Sequence, residues 1–219
     1  PADQAKLRVS WNVGLGDFPR HKWRQRAGAM AARIVGPRVS KLFFARREGL
    51  PHRPLRDPHG FGGSENDREP PRVVHARLGT RQRPSIAFHR ELVLDRIGGA
   101  AEFLTGFVRQ PQFNREIREA PATLSPFGWG EVCFRDFEAV RYGSLLLKPN
   151  MDHLETWPDI YAAGETCVPF DWDATTLVDT ARSYLADDGA RRRITEQALD
   201  VYLSQVRGME SRLEGVFED

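Results

Sequence analysis

From Arg72 onward one constraint governs the chain: short apolar runs that read as strands alternate with segments of helical spacing. "RVVHARLG" reads as a strand and "RPSIAFHRELVLDRIGG" as a helix beginning near Pro84 or Ser85. "AEFLTGFV" reads as a strand, and "QPQFNREIREAP" as a short helix or structured loop. "SPFGWGEVCFRDFEAVRYGSLLLKPN" then supplies a glycine turn, an amphipathic helix and a solid apolar run. A strand at "TCVPF" and two helices, Thr175 to Leu185 and Gly189 to Val206, close the chain. Strands separated by helices pair in parallel through crossovers, so the pattern predicts an α/β, Rossmann-like, mainly parallel sheet with helices on both faces. Ligands of such sheets sit beyond the carboxyl ends of the strands, where loops lead into helix N-termini.

Upstream the texture differs. "LRVSWNVGL" (Leu7 to Leu15) alternates like a strand, and "HKWRQRAGAMAARIVG" (His21 to Gly36) has helical spacing with Gly36 as its stop. From Arg46 to Arg72 proline, glycine and charge dominate, which predicts a mobile loop or linker. The expected organisation is therefore a partial amino-terminal lobe at 1–45, a linker at 46–71 and the Rossmann-like lobe at 72–219.

A chain of 219 residues with 40% apolar composition can bury a real core. Neither a membrane-length apolar run nor a signal peptide is present, so the expectation is a cytoplasmic protein without a transmembrane segment. Cys133 and Cys167 lack metal-ligand or disulfide-framework spacing and read as buried apolar residues. The formal charge is +2, yet lysine is confined to Lys6, Lys22, Lys41 and Lys148, the other basic residues being arginine. Arginine forks suit phosphate recognition; a codon bias toward arginine explains the same composition.

The central motif carries most of the chemistry. With Glu131 to Tyr142 on one helix, Glu131, Arg135, Glu138 and Tyr142 share a polar face, while Cys133, Phe137 and Val140 pack. Asp136 interrupts the packing side without a partner that the sequence identifies. Gly128 and Gly130 can take positive φ and let backbone N–H groups converge on an anion at the helix N-terminus. Arg135 would neutralise further diphosphate charge, and Glu138 would accept hydrogen bonds from ribose or sugar hydroxyls. The competing reading is a solvated i,i+4 pair, Glu131 with Arg135, of no functional consequence.

"FRDFEAVRYGSLLLKP" resembles the signature of the carboxy-terminal lobe of B-fold glycosyltransferases, in which a Glu-Ala pair on a helix precedes a glycine and an apolar strand. It is most similar to the spore-maturation-type glycosyltransferase-like group (glycosyl transferases group 1), over about Arg72 to Val206. The resemblance implies that Glu138 contacts the donor ribose and Arg135 the donor phosphates. It also implies a diphosphate contact from Arg81 or Arg83 in the first strand-to-helix turn, where solvated arginines are the alternative. The partner glutamate of the family pattern would fall at Gly130, with Glu131 one place out of register.

Lys148 and His153, at the end of the apolar run and in the loop after it, are further candidates for phosphate contact. A histidine that caps or packs the loop is the alternative for His153. On "SIAFHRELVL", Ile86, Leu92 and Leu94 are expected inward and His89 and Arg90 outward; Asp173 is the expected N-cap of the helix near Thr175. Trp172 is read either as closing a pocket over a base or as packing. The sequence thus predicts a metal-independent, cofactor-free enzyme that transfers a sugar from a nucleotide-activated donor to an unidentified acceptor, without nucleic-acid binding. The alternative is a non-catalytic nucleotide or phosphosugar binding module.

Overall fold

The computed structural model describes residues 72–209, 211 and 212, with the isolated positions 27, 30 and 34. The expected amino-terminal strand, the linker and both boundaries that separate them from the lobe lie outside the described residues. Of the helix expected at His21–Gly36, Ala27, Met30 and Ile34 are described, and all three are helical.

In chain order the elements are β1 (Val74–His75), α1 (Pro84–Ile97), β2 (Phe103–Leu104), α2 (Gln110–Glu119), β3 (Ala122–Leu124), α3 (Phe134–Arg141), β4 (Leu145–Pro149), β5 (Val168–Phe170), α4 (Leu177–Ala186) and α5 (Asp188–Arg207). The strands form one sheet in the order β2-β1-β3-β4-β5, every pair parallel. This is the Rossmann-like α/β arrangement. The chain runs outward from β1 to β2, then crosses back to lay β3 on the other side of β1. The β1/β3 seam is therefore the topological switch point, where such sheets open a crevice at their carboxyl ends.

Side-chain alternation gives the two faces different characters. Val74, Ala76, Leu78, Ala122, Leu124, Leu145, Leu147, Val168 and Phe170 point to one face and join Val93 and Ile97 of α1 with Leu177, Ala181 and Leu185 of α4 in the main core. The opposite face carries His75, Thr123, Ser125, Leu146 and Lys148, all buried, beneath α2, α3 and α5. Each core Leu, Val or Phe contributes about 1.5–3 kcal/mol by leaving water, whereas on the second face His75, Thr123, Ser125 and Lys148 bring polar groups into the interior, where an unpaired group is costly.

Local signals set the helix ends. Pro84 opens α1, where its missing N–H is no loss, and Gly98 closes it at φ 53° with its N–H bonded to Leu94 O. Gly143, at φ 66°, turns the chain out of α3, and Ser144 N then donates to Ala139 O. The inward side of α1 differs from expectation: Ile86, Ala87, His89, Val93 and Ile97 are buried, while Leu92 and Leu94 pack only partly against the core.

Candidate functional site

Two guanidinium groups meet at the switch point from opposite faces of the sheet. From α1, Arg90 donates through Nε to Phe127 O (3.1 Å) and through Nη1 to Gly79 O (3.0 Å) and Gln82 Oε1 (3.2 Å). From α3, Arg135 donates through Nη2 to Arg77 O (2.8 Å). Gly79 and Arg77 lie on the segment leaving β1, and Phe127 on the segment leaving β3, so Arg90 spans the seam and Arg135 reaches across it from the β3 side. Among the described residues no carboxylate lies within ion-pair distance of either. Arg135 Nε is buried without a hydrogen-bond partner, and the guanidinium lies over the Phe113 ring, 5.9 Å from its centroid. Burial, and then the charge of Arg90, hold Arg135 below its ordinary proton affinity. Two like charges at the strand ends, neither in ion-pair contact with a carboxylate among the described residues and Arg135 only partly offset by Glu138 and Asp136, form an electrostatic setting that an anion relieves.

The turn before α3 is built differently from expectation. Neither Gly128 nor Gly130 has positive φ. Gly128 is needed for space instead: a Cβ there would lie 2.6 Å from Arg90 Nη2 and 3.2 Å from Cys133 Sγ. Its N–H is used internally, donating to Gly130 O at 3.0 Å. Gly130 is exposed with open space where a Cβ would stand. The N–H groups of Trp129, Gly130, Glu131 and Val132 have no acceptor among the described residues. Glu131 precedes the helix, which starts at Phe134, and Tyr142 is its C-cap. The expected four-residue polar face, with its Glu131–Arg135 pair, therefore does not form.

The N-terminus of α3 is occupied by its own side chain. Asp136 is fully buried and its Oδ2 accepts Cys133 N–H at 2.9 Å, so a carboxylate stands where the sequence predicts a phosphate. The same carboxylate accepts from Ser125 Oγ, from Tyr161 OH (2.8 Å) and from Lys148 Nζ (2.9 Å). Lys148 is thereby corrected as a phosphate contact: its ammonium is fully buried and paired with Asp136, beneath the rings of Phe127 and Tyr161. Burial first, then the Asp136 charge, push the Tyr161 phenol far above its ordinary range, so Tyr161 serves as a proton donor to Asp136. The hub ties α3 to β3, β4 and the loop after β4, and fixes Arg135 one residue away.

The other expected site residues are spread over the same strand-end edge. Glu138 on α3 is half-buried, and burial raises its carboxyl despite the nearby Arg135 and Arg141 charges. Arg81 is exposed in the turn after β1; Arg83, also exposed, stands over the Trp129 ring at 5.6 Å. His153 is exposed in the loop after β4, its ring edge-on to Phe127 with centroids 6.4 Å apart. The structure brings Arg135 together with Arg90, a residue expected to face outward. Asp173 caps a turn through Thr175 N and Oγ1, while the N-cap of α4 is Thr176.

Three further groups had no assigned role in the sequence. His75 is fully buried with neither ring nitrogen partnered, edge-on to Phe113; burial foremost, then Arg135, lower its pKa to about 4. Arg77 makes a two-pronged pair with Glu116 (2.7 and 2.9 Å) that ties the end of β1 to α2. His89 is buried and stacks on Trp172. The apolar spacing of their segments is visible in sequence, yet the register that buries a histidine or faces an arginine inward depends on partners far along the chain.

Among the described residues, no group of three or more His, Cys, Asp or Glu side chains is placed to hold a metal ion, and no helix is long and apolar enough to cross a membrane. Comparison with family models, curated proteins and solved structures finds no match.

Proposed function

We propose that this lobe binds the nucleotide-activated sugar of a glycosyltransferase, in a cytoplasmic setting, and that the enzyme passes the sugar to an acceptor. The observation that carries the reading is the Arg90–Arg135 pair at the β1/β3 switch point, with no ion-paired carboxylate among the described residues. In sugar transfer from a nucleoside diphosphate sugar, the bond between the anomeric carbon and the diphosphate oxygen breaks while a bond to the acceptor oxygen forms and the acceptor hydroxyl loses its proton to solvent. Negative charge accumulates on the leaving diphosphate. Fixed cations aimed at that charge lower the barrier without reorganising during the reaction. Exposed Arg83 and the unpartnered N–H groups from Trp129 to Val132 adjoin the pair and can complete an anion cradle. Glu138, half-buried on α3, can accept a hydrogen bond from a ribose or sugar hydroxyl.

A second reading, a binding module without turnover, draws on one observation. Asp136, adjacent to Arg135 in sequence and the most deeply buried carboxylate among the described residues, is consumed by Lys148 and three other donors. Titration of nucleotide-sugars followed by assay for free nucleoside diphosphate tests both readings. Saturable binding with donor hydrolysis or transfer supports the enzyme, and binding without product supports the module. No binding of any nucleotide-sugar overturns the site itself.

A further inference from the structure

We infer that Trp172, backed by His89 and flanked by Phe127, is a stacking platform for a planar heterocyclic base, so that the anion held at the switch point belongs to a nucleoside phosphate. This rests on the anion site proposed above and deepens it by assigning the side chains that meet the base.

The geometry starts from the loop after β5. Trp172 is 53% exposed, yet its backbone is held tightly. His89 Nε2 meets Trp172 O at 3.1 Å, and Arg96 Nε donates to Asp173 O at 3.0 Å. The next residue, Ala174, is buried at φ 54°, a left-handed conformation that a non-glycine residue adopts only when its surroundings enforce it. An exposed indole would ordinarily be free to move with its loop; this one is fixed from both sides by residues of α1.

One face of the indole is already taken. The His89 ring lies parallel to it, with centroids 4.0 Å apart and planes 10° from each other. A carbonyl can only accept, so the His89 proton sits on Nε2 and Nδ1 is a lone pair, buried without a partner. Burial first, and the charges of Lys148 and Arg90, favour the neutral ring. Phe127 closes the side, 5.6 Å from Trp172 and 5.4 Å from His89. The outer indole face is left as a rigid, uncharged, flat surface, and such surfaces take bases of any identity because every base has a π face.

Phe127 joins the platform to the anion site. Its ring touches Trp172 and His89, while its carbonyl accepts Arg90 Nε at 3.1 Å. His89 and Arg90 are consecutive on α1. A ligand with an anion at one end and a flat ring at the other matches this adjacency. A phosphosugar matches it less well, because the platform rings offer a sugar no hydrogen-bonding pair for its hydroxyls.

The test is calorimetric titration of the full chain with inorganic pyrophosphate, glucose 1-phosphate, UDP, ADP and GDP, repeated on Trp172→Leu and Trp172→Phe. At least one nucleoside diphosphate is expected to bind wild type about tenfold more tightly than pyrophosphate. Trp172→Leu should remove that advantage while pyrophosphate affinity stays within about twofold, and Trp172→Phe should restore most of it. Nucleotide quenching of indole emission should be present in wild type and lost in Trp172→Leu. If pyrophosphate binds as tightly as every nucleotide, or Trp172→Leu leaves the advantage intact, the platform is overturned and the anion site stands. If no probe binds, the anion site falls and the platform with it.

Discussion

Removing either partner of the Lys148–Asp136 pair should have unequal and coupled effects on stability. At 2.9 Å, with both side chains fully buried, the attraction is about 6 kcal/mol at an effective dielectric of about 20. Much of it offsets the desolvation of the two ions, so the measurable quantity is the stability lost when one partner is deleted, about 3–5 kcal/mol for a buried pair. Lys148→Met leaves Asp136 with Ser125 Oγ, Tyr161 OH and Cys133 N–H as donors, so its cost lies at the lower end, about 3 kcal/mol. Asp136→Ala strands the ammonium beneath Phe127 and Tyr161 and frees three donors at once, for about 5 kcal/mol. With about 2–4 °C per kcal/mol for a chain of this size, melting temperatures should drop by about 6–12 °C and 10–20 °C respectively. The sharper test is Asp136→Asn, which keeps an acceptor oxygen but removes the charge. In that background Lys148→Met should stabilise the protein, because it deletes an uncompensated ammonium. Urea denaturation of wild type, both single variants and the double variant gives the coupling directly, expected at about 2 kcal/mol or more. Should Lys148→Met destabilise the Asp136→Asn protein as much as it does wild type, the pair is not the hub described.

His75 predicts an acid-sensitive fold. Its folded pKa of about 4 lies below the unfolded value of 6.5, so the unfolded chain binds the proton first; stability is lost as pH falls from about 6.5 towards 4, by about 3 kcal/mol in all, and His75→Leu should remove that share in urea midpoints measured across the range. Gly128→Ala places a Cβ against Arg90 Nη2 at 2.6 Å; because the guanidinium end can swing away, melting should change by less than about 3 °C while pyrophosphate affinity falls several-fold by calorimetry. Glu138→Gln should leave pyrophosphate binding unchanged and weaken a nucleoside diphosphate by about 5–10-fold if its carboxyl meets the ribose.

The α/β alternation is legible in the sequence because the helices that bound the lobe are long and periodic, from Pro84 to Ile97 and from Asp188 to Arg207. The strand beside β1 at the switch point, β3, is not, because Ala122–Leu124 is three residues with a threonine at its centre. Strand neighbours supply what those residues lack: Thr123 bonds Ser144 Oγ at 2.8 Å, and Ala122 and Leu124 join the core. Arg135 stands out in sequence as a residue near the crevice, yet its direction, towards Arg77 O, depends on β1 lying beside β3. Lys148 stands out as the last lysine in the chain and invites a ligand contact, whereas its isolation reflects one buried partner, Asp136, at twelve residues' separation. Asp136 itself looks like a defect in an apolar stripe; its four donors come from Ser125, Cys133, Lys148 and Tyr161, and only Cys133 lies within its own turn. Single-element periodicity cannot show pairings that the sheet order creates.

Charge at the seam between β1 and β3 is read by pyrophosphate without a base or sugar. Calorimetric titration of wild type, Arg90→Met, Arg135→Met and the double variant, at low and moderate salt with folding checked by circular dichroism, measures it. Saturable one-site binding to wild type is the expected result, with a loss of about tenfold in each folded single variant and no detectable binding to the double variant. Wild-type affinity retained in the folded double variant would contradict it.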